Sequence, residues 1–217
     1  MTRDMSPKAK ATTFYLITVG LCSAVALALR SQGQLAAVIA MLTPAVAVLL
    51  MQLVVTRDGY RRSGWSGLGV TRRPGVRLAT AALVLPLGIL GVSEAVLVAS
   101  GLTDVHLPGL PGPLDLADLL ISLVVVGAFV FAEEVGWRGY LLPLLVADGR
   151  PAPGARVGLL HGIFHLPIVF LASDAYLTEG SRWITVPVFL GVLTASGPIY
   201  AWLRQASGSV WPAVMAR

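Results

Sequence analysis

Phe131-Ala-Glu-Glu-Val-Gly-Trp-Arg-Gly-Tyr-Leu-Leu-Pro143 decides how this chain is read. The stretch lies inside an apolar run at 117–145, yet it carries two adjacent carboxylates, Glu133 and Glu134, and a guanidinium, Arg138. A carboxylate at the middle of a spanning helix costs about 2.5–3.5 kcal/mol on insertion scales. Two in a row are poorly explained by packing. They indicate a site that needs carboxylates at that depth.

Working outward, the rest of the chain supplies the membrane. Of its 217 residues, 56% are hydrophobic and only 12% are charged, against roughly 25% charged in a soluble domain. The mean hydropathy is +0.79. Apolar runs occur at 13–29, 35–55, 78–100, 117–145, 155–172 and 184–203. About 20 residues cross a hydrocarbon core, so these read as six helices. A seventh run begins at Val210-Trp-Pro-Ala-Val-Met-Ala-Arg217 and stops short. The expectation is an all-α, polytopic helical bundle forming one membrane domain over 1–217, truncated within its seventh span. The first run has the layout of a signal peptide, but a retained span keeps the charge alternation of the loops in phase. Cys22 is the single cysteine, which excludes a disulfide framework and a zinc knuckle.

The formal charge of +5 does not point to nucleic acid, because the arginines sit between apolar runs rather than on an aromatic-interleaved surface. Arg3, Lys8 and Lys10 precede the first run; Arg57, Arg61, Arg62, Arg72, Arg73 and Arg77 fill 56–77; Arg150 and Arg156 follow the fourth run; Arg204 follows the sixth. The alternate loops are poor in basic residues and contain Asp104, His106, Asp115, Asp174 and Glu179. By the positive-inside rule the amino terminus is cytoplasmic. Leu107-Pro-Gly-Leu-Pro-Gly-Pro113 reads as a turn-rich connector.

Depth then brings polar residues together. Along the fourth and fifth spans, Glu133 lies roughly 18 Å from the cytoplasmic end, His165 roughly 15 Å, Arg138 roughly 10 Å and His161 roughly 9 Å. Glu134 and Arg138 are four apart and share a helix face, with the acid in the favourable N-terminal position. Glu133 points about 100° away, free of an evident local partner. His161 and His165 are also four apart, a spacing that suits two ligands to one metal. Glu94, in the third span, sits higher and reads as a packing or access residue.

The segment 133–143 closely resembles the first motif of the CAAX prenyl protease and bacteriocin-processing (abortive-infection) family of intramembrane proteases, two glutamates with an arginine four residues after the second. Leu160-His-Gly-Ile-Phe-His-Leu-Pro167 is similar to the second motif at His165, Leu166 and Pro167, with His161 where an aromatic is usual. Ser207-Gly-Ser-Val-Trp-Pro-Ala-Val-Met-Ala-Arg217 looks like the lead-in to the third, with Arg217 where a histidine is expected. The likeness covers 130 to the end, within a core of about 78–217. It implies an integral membrane endopeptidase, of a bacterial cytoplasmic membrane, acting on peptide or protein substrates near the bilayer. Glu133 would activate a water, and His165 would position it or stabilise the oxyanion. Glu134 and Arg138 would support the helix or orient substrate. Zinc is an open expectation, with Glu133, His161 and His165 as its three ligands. Two other readings stand beside it: a non-catalytic immunity or scaffold relative, and a small proton- or ion-coupled transporter. The natural protein is expected to run on past Arg217, with histidine or asparagine shortly beyond.

Overall fold

The computed structural model describes residues 5–104, 112–172 and 181–217, and every regular element among them is helical. The elements are α1 (Pro7–Ala28), α2 (Gly33–Ala40), α3 (Thr43–Leu50), α4 (Arg62–Ser66), α5 (Val76–Ala99), α6 (Pro113–Glu134), α7 (Leu142–Ala147), α8 (Pro153–Leu171), α9 (Arg182–Ser207) and α10 (Trp211–Met215). Wide π-turns continue α3 through Met51–Val55 and join α6 to α7 through Val135–Leu141. Six helical runs are long and apolar enough to cross a bilayer, and each overlaps one of the six runs expected from the sequence. Residues 107–111 of the connector, with His106, Asp174 and Glu179, lie outside the described residues.

Local chemistry explains several boundaries. Ser6 caps α1 by accepting from the Ala9 N–H at 3.2 Å, and Pro7 starts the helix where no amide partner is needed. The second span is broken between α2 and α3, because Pro44 in the first turn of α3 has no N–H to continue the ladder from α2. Thr43 Oγ1 satisfies the Ala40 carbonyl at the break, 2.8 Å away.

The burial pattern is inverted relative to a soluble protein. Only Ala82 of α5 is buried, and Leu87, Val92 and Val124 on α5 and α6 are largely exposed. Glu133, Glu134, Arg138 and His161 are meanwhile 1% exposed or less. Apolar outside and charged inside is the arrangement a bilayer favours. Glu94 lies on the exposed side of α5, apart from the acidic pair.

Two packings hold the interior. On one side α1 meets α8: the Cys22 thiol donates to the Phe164 carbonyl at 3.2 Å, the Tyr15 hydroxyl donates to the Leu160 carbonyl at 3.0 Å, and Phe14 sits edge-on to Trp137. On the other side α8 meets α9 through Gly154, Gly158 and Gly162, spaced four apart so that they form one face. A Cβ on Gly158 would run into the Leu193 backbone, so the two helices approach as closely as small-residue membrane packing allows.

Two loop assignments need correction. Arg204 is inside α9 and 8% exposed, not a loop charge beyond the sixth span. The segment 56–77 is more than a basic loop. Arg204 Nη2 donates to the Gly67 carbonyl at 2.8 Å, Ser209 Oγ to the Arg72 carbonyl at 2.6 Å and Trp211 Nε1 to the Val70 carbonyl at 2.8 Å. Positive charge near the membrane explains its composition, and these bonds explain its place. Trp211 and Trp65 each donate to a backbone carbonyl, while Trp183 and Trp202 are exposed.

Candidate active site

The acidic pair ends α6 at the point where the helix widens into the π-turn of Val135–Leu141. That turn admits a close neighbour at Gly136, where any Cβ would overlap Pro44 of α3. It also leaves a carbonyl in need of a donor. Leu142 N–H reaches back to the Trp137 carbonyl, and the next donor in that register would be Pro143, which has none. Arg204 Nε on α9 donates to the Arg138 carbonyl instead, at 3.2 Å. A buried charge in the last turn of α9 is thereby given a carbonyl to satisfy by a proline on another span.

Arg138 Nη1 donates to Glu134 Oε1 at 2.7 Å, the pair expected from their spacing, and both side chains are almost wholly buried. The guanidinium lies over the Tyr200 ring, 4.8 Å from its centroid. Carboxylate and ring offset the burial of the guanidinium at Nη1 and over its face, while Arg138 Nε and Glu134 Oε2 have no hydrogen-bond partner among the described residues.

Glu133 departs from the expectation that it lacks a partner. Arg217 Nη1 lies 2.5 Å from Glu133 Oε2 and 3.3 Å from Glu134 Oε1, so a single guanidinium gathers both carboxylates. The position where the sequence resemblance expects a histidine holds a cation at the level anticipated for that residue. Helical spacing could not reveal it, because the contact crosses from the last described residue to α6.

Glu133 Oε1 faces the other way, toward α8. It lies 3.7 Å from His161 Nε2 and 4.0 Å from His165 Nε2, and it has no hydrogen-bond partner among the described residues. Polar gaps of this size are the ones a water bridges. The two imidazoles stack at 5.1 Å between centroids, with Trp137 stacked on His161 at 4.8 Å and Phe189 edge-on to His165 at 5.6 Å. Aromatic walls thus hold both rings in position. The juxtaposition of Glu133 with α8 that depth implied is present.

The ligand atoms of Glu133, His161 and His165 lie within 4.8 Å of one another. Tetrahedral zinc, with bonds of about 2.0–2.1 Å, needs donors roughly 3.3 Å apart, so this set would have to close further. Its surroundings oppose that. Arg138 Nη1 is 3.4 Å from His161 Nδ1 and Arg217 Nη2 is 3.3 Å from His161 Nε2. A guanidinium can only donate, and a neutral imidazole has a single lone pair. In either tautomer that lone pair meets a guanidinium. A zinc-bound histidine ordinarily donates its other N–H to an acceptor, and His161 has none in these contacts. With Arg217 in place, the residues do not fit a zinc ion.

Residues 115–217 match the protein-family model described as Rce1-like, "Type II CAAX prenyl endopeptidase Rce1-like". The matched segment runs from α6 to α10 and contains every residue of the cluster. No curated protein matches the chain.

Proposed function

We propose that this chain, whose residues 115–217 match the Rce1-like family of type II CAAX prenyl endopeptidases, is an integral membrane endopeptidase in which Glu133 activates the attacking water. The observation that carries the reading is the unpartnered Oε1 of Glu133, 4.0 Å from His165 Nε2 at the centre of a membrane bundle. A water between them donates one hydrogen bond to the carboxylate and is oriented by the imidazole. Glu133 takes its proton as the oxygen attacks the scissile carbonyl carbon. The carbonyl oxygen becomes an oxyanion and is met by a donor from His165 or Arg217. The proton held by Glu133 then passes to the leaving amine, and the C–N bond breaks.

Glu134 and Arg138 are the supporting pair: they fix the helix turn from which Glu133 projects. The substrate class is a peptide bond presented at the membrane, in a bacterial cytoplasmic membrane with the amino terminus of this chain on the cytoplasmic side. Cleavage of membrane-anchored peptides by wild type, Glu133→Gln and His165→Ala tests the reading. General acid–base groups contribute on the order of 10²–10⁴ in rate, so each variant is expected to fall by about that much while remaining folded. Unchanged cleavage in both would remove these residues from the mechanism.

A second reading has its own observation. Arg217 occupies Glu133 Oε2, in the place where the resemblance expects a histidine. A non-catalytic relative of the family is the reading it favours. In that case wild type is inert and Arg217→His is active.

A further inference from the structure

We infer that Arg217 is the resident cation of the Glu133–His161–His165 cluster, and that it keeps the cluster from taking up a divalent metal.

Charge comes first. Glu133 and Glu134 are fully buried, and Arg138 is buried beside them. Arg217 is the second guanidinium in contact with the pair, its side chain only 19% exposed. Two carboxylates and two guanidiniums cancel. A divalent ion added to that neutral group would introduce two uncompensated charges into a water-poor interior, which is costly unless a cation leaves. Arg217 is the one that can leave, because Arg138 is fixed on the same helix as Glu134 and covered by Tyr200.

Lone pairs give the same answer independently. A metal in this cluster needs Glu133 Oε2 or Oε1 and at least one imidazole nitrogen. Arg217 Nη1 is on Glu133 Oε2, and Arg217 Nη2 is 3.3 Å from His161 Nε2. The guanidinium therefore spans the carboxylate and one of the imidazoles that would ligate the ion. Replacing it with histidine would remove the competing charge and add a third neutral or anionic donor beside Glu133 and His165. That is the ligand set catalytic zinc commonly takes.

Metal content tests this without reference to cleavage, so its outcome is separate from that of the peptidase reading. The protein is purified in detergent, and wild type, Arg217→Lys and Arg217→His are titrated with Co²⁺ and assayed for bound zinc by mass spectrometry. Wild type and Arg217→Lys are expected to carry no zinc and to give no tetrahedral Co²⁺ absorption. Arg217→His is expected to bind Co²⁺ at least about 100-fold more tightly, and to lose that binding when His165→Ala is added. Zinc held by wild type in equal amount to protein, and lost in His165→Ala, would overturn the inference. So would a folded Arg217→His no better than wild type. The wild-type and Arg217→Lys measurements keep the test decisive even where the histidine variant does not fold.

Discussion

At the scale of single residues, the central distinction is between a contact set by helical spacing and one set by the fold. Glu134 and Arg138 are four apart, and a helix alone brings them to 2.7 Å. That pair was readable from the sequence. The partner of Glu133 was not, because no spacing rule links α6 to residue 217, and the guanidinium stands where a histidine was expected. The buried pair also yields a prediction. Arg138→Ala leaves Glu134 without its helical partner, at a cost of about 3–5 kcal/mol by the measure of soluble cores. Arg138→Lys retains the charge but loses the planar fork that meets Glu134 and lies over Tyr200, and it is expected to recover only part of that loss. Unfolding in mixed micelles with increasing denaturing detergent measures both. An Arg138→Ala variant as stable as wild type would mean the pair contributes nothing to the bundle.

At the scale of elements, the positions of the spans followed from length and hydropathy, while their irregularities did not. The break between α2 and α3 has a sequence cause in Pro44, and the donor for the Arg138 carbonyl has one in Pro143, but each can be interpreted only once a neighbouring helix is in view. Arg204 is the clearest case. Its charge suited the positive-inside rule, and its position next to a run end suited a loop. Only the packing of α9 against the π-turn assigns it a carbonyl to satisfy. The glycine face of α8 is a different matter, since its four-residue spacing is plain in the sequence and its meaning is general. Gly158→Ala is expected to destabilise the bundle by about 1–3 kcal/mol, because its Cβ would meet the Leu193 backbone rather than a side chain that can rotate away. Gly20→Ala, at a position with open space around it, serves as the control and is expected to change little. Equal behaviour of the two variants in the same unfolding assay would show that the α8–α9 approach is not tight.

At the scale of the whole molecule, the charge pattern of the loops carries the proposed orientation, and a surface ion pair ties α1 to the segment that follows α3. In the proposed orientation Arg61 faces the cytoplasm and Asp104 the opposite side. Single cysteines at those positions, in a Cys22→Ser background, are expected to react with an impermeant thiol reagent from opposite faces of sealed vesicles. Labelling of both from one face would contradict the orientation. The tie is between Lys10 of α1 and Asp58, 2.7 Å apart, near the membrane surface. Partial burial pushes the Asp58 carboxyl up, but hydrogen bonds from Lys10 and Thr56 outweigh it and hold the group below its usual range. A lowered folded value means that this contribution is complete above the unfolded value of about 3.9 and is lost as pH falls through the folded one. Both side chains are partly exposed, so it amounts to about 0–1 kcal/mol. Thermal unfolding should therefore find wild type marginally more stable than Asp58→Asn at pH 7, with the difference narrowing as pH falls below about 4. A gap that widened on acidification would reverse the sign and refute the tie.

The sequence by itself determined the helical class, the six spans and the depth at which Glu133 and His165 would meet. Those follow from one-dimensional quantities: the length of an apolar run, the rise per residue and the spacing along a single helix. What the tertiary structure decided was the identity of each partner. It put Arg217 on Glu133, Arg204 on a carbonyl left without a donor by Pro143, and a guanidinium at each nitrogen of His161. Contacts between distant segments depend on how helices cross, and that is fixed by glycine faces and π-turns acting together rather than by any one stretch of chain. The acidic pair marks the place of the site, and the fold supplies the cation that balances it.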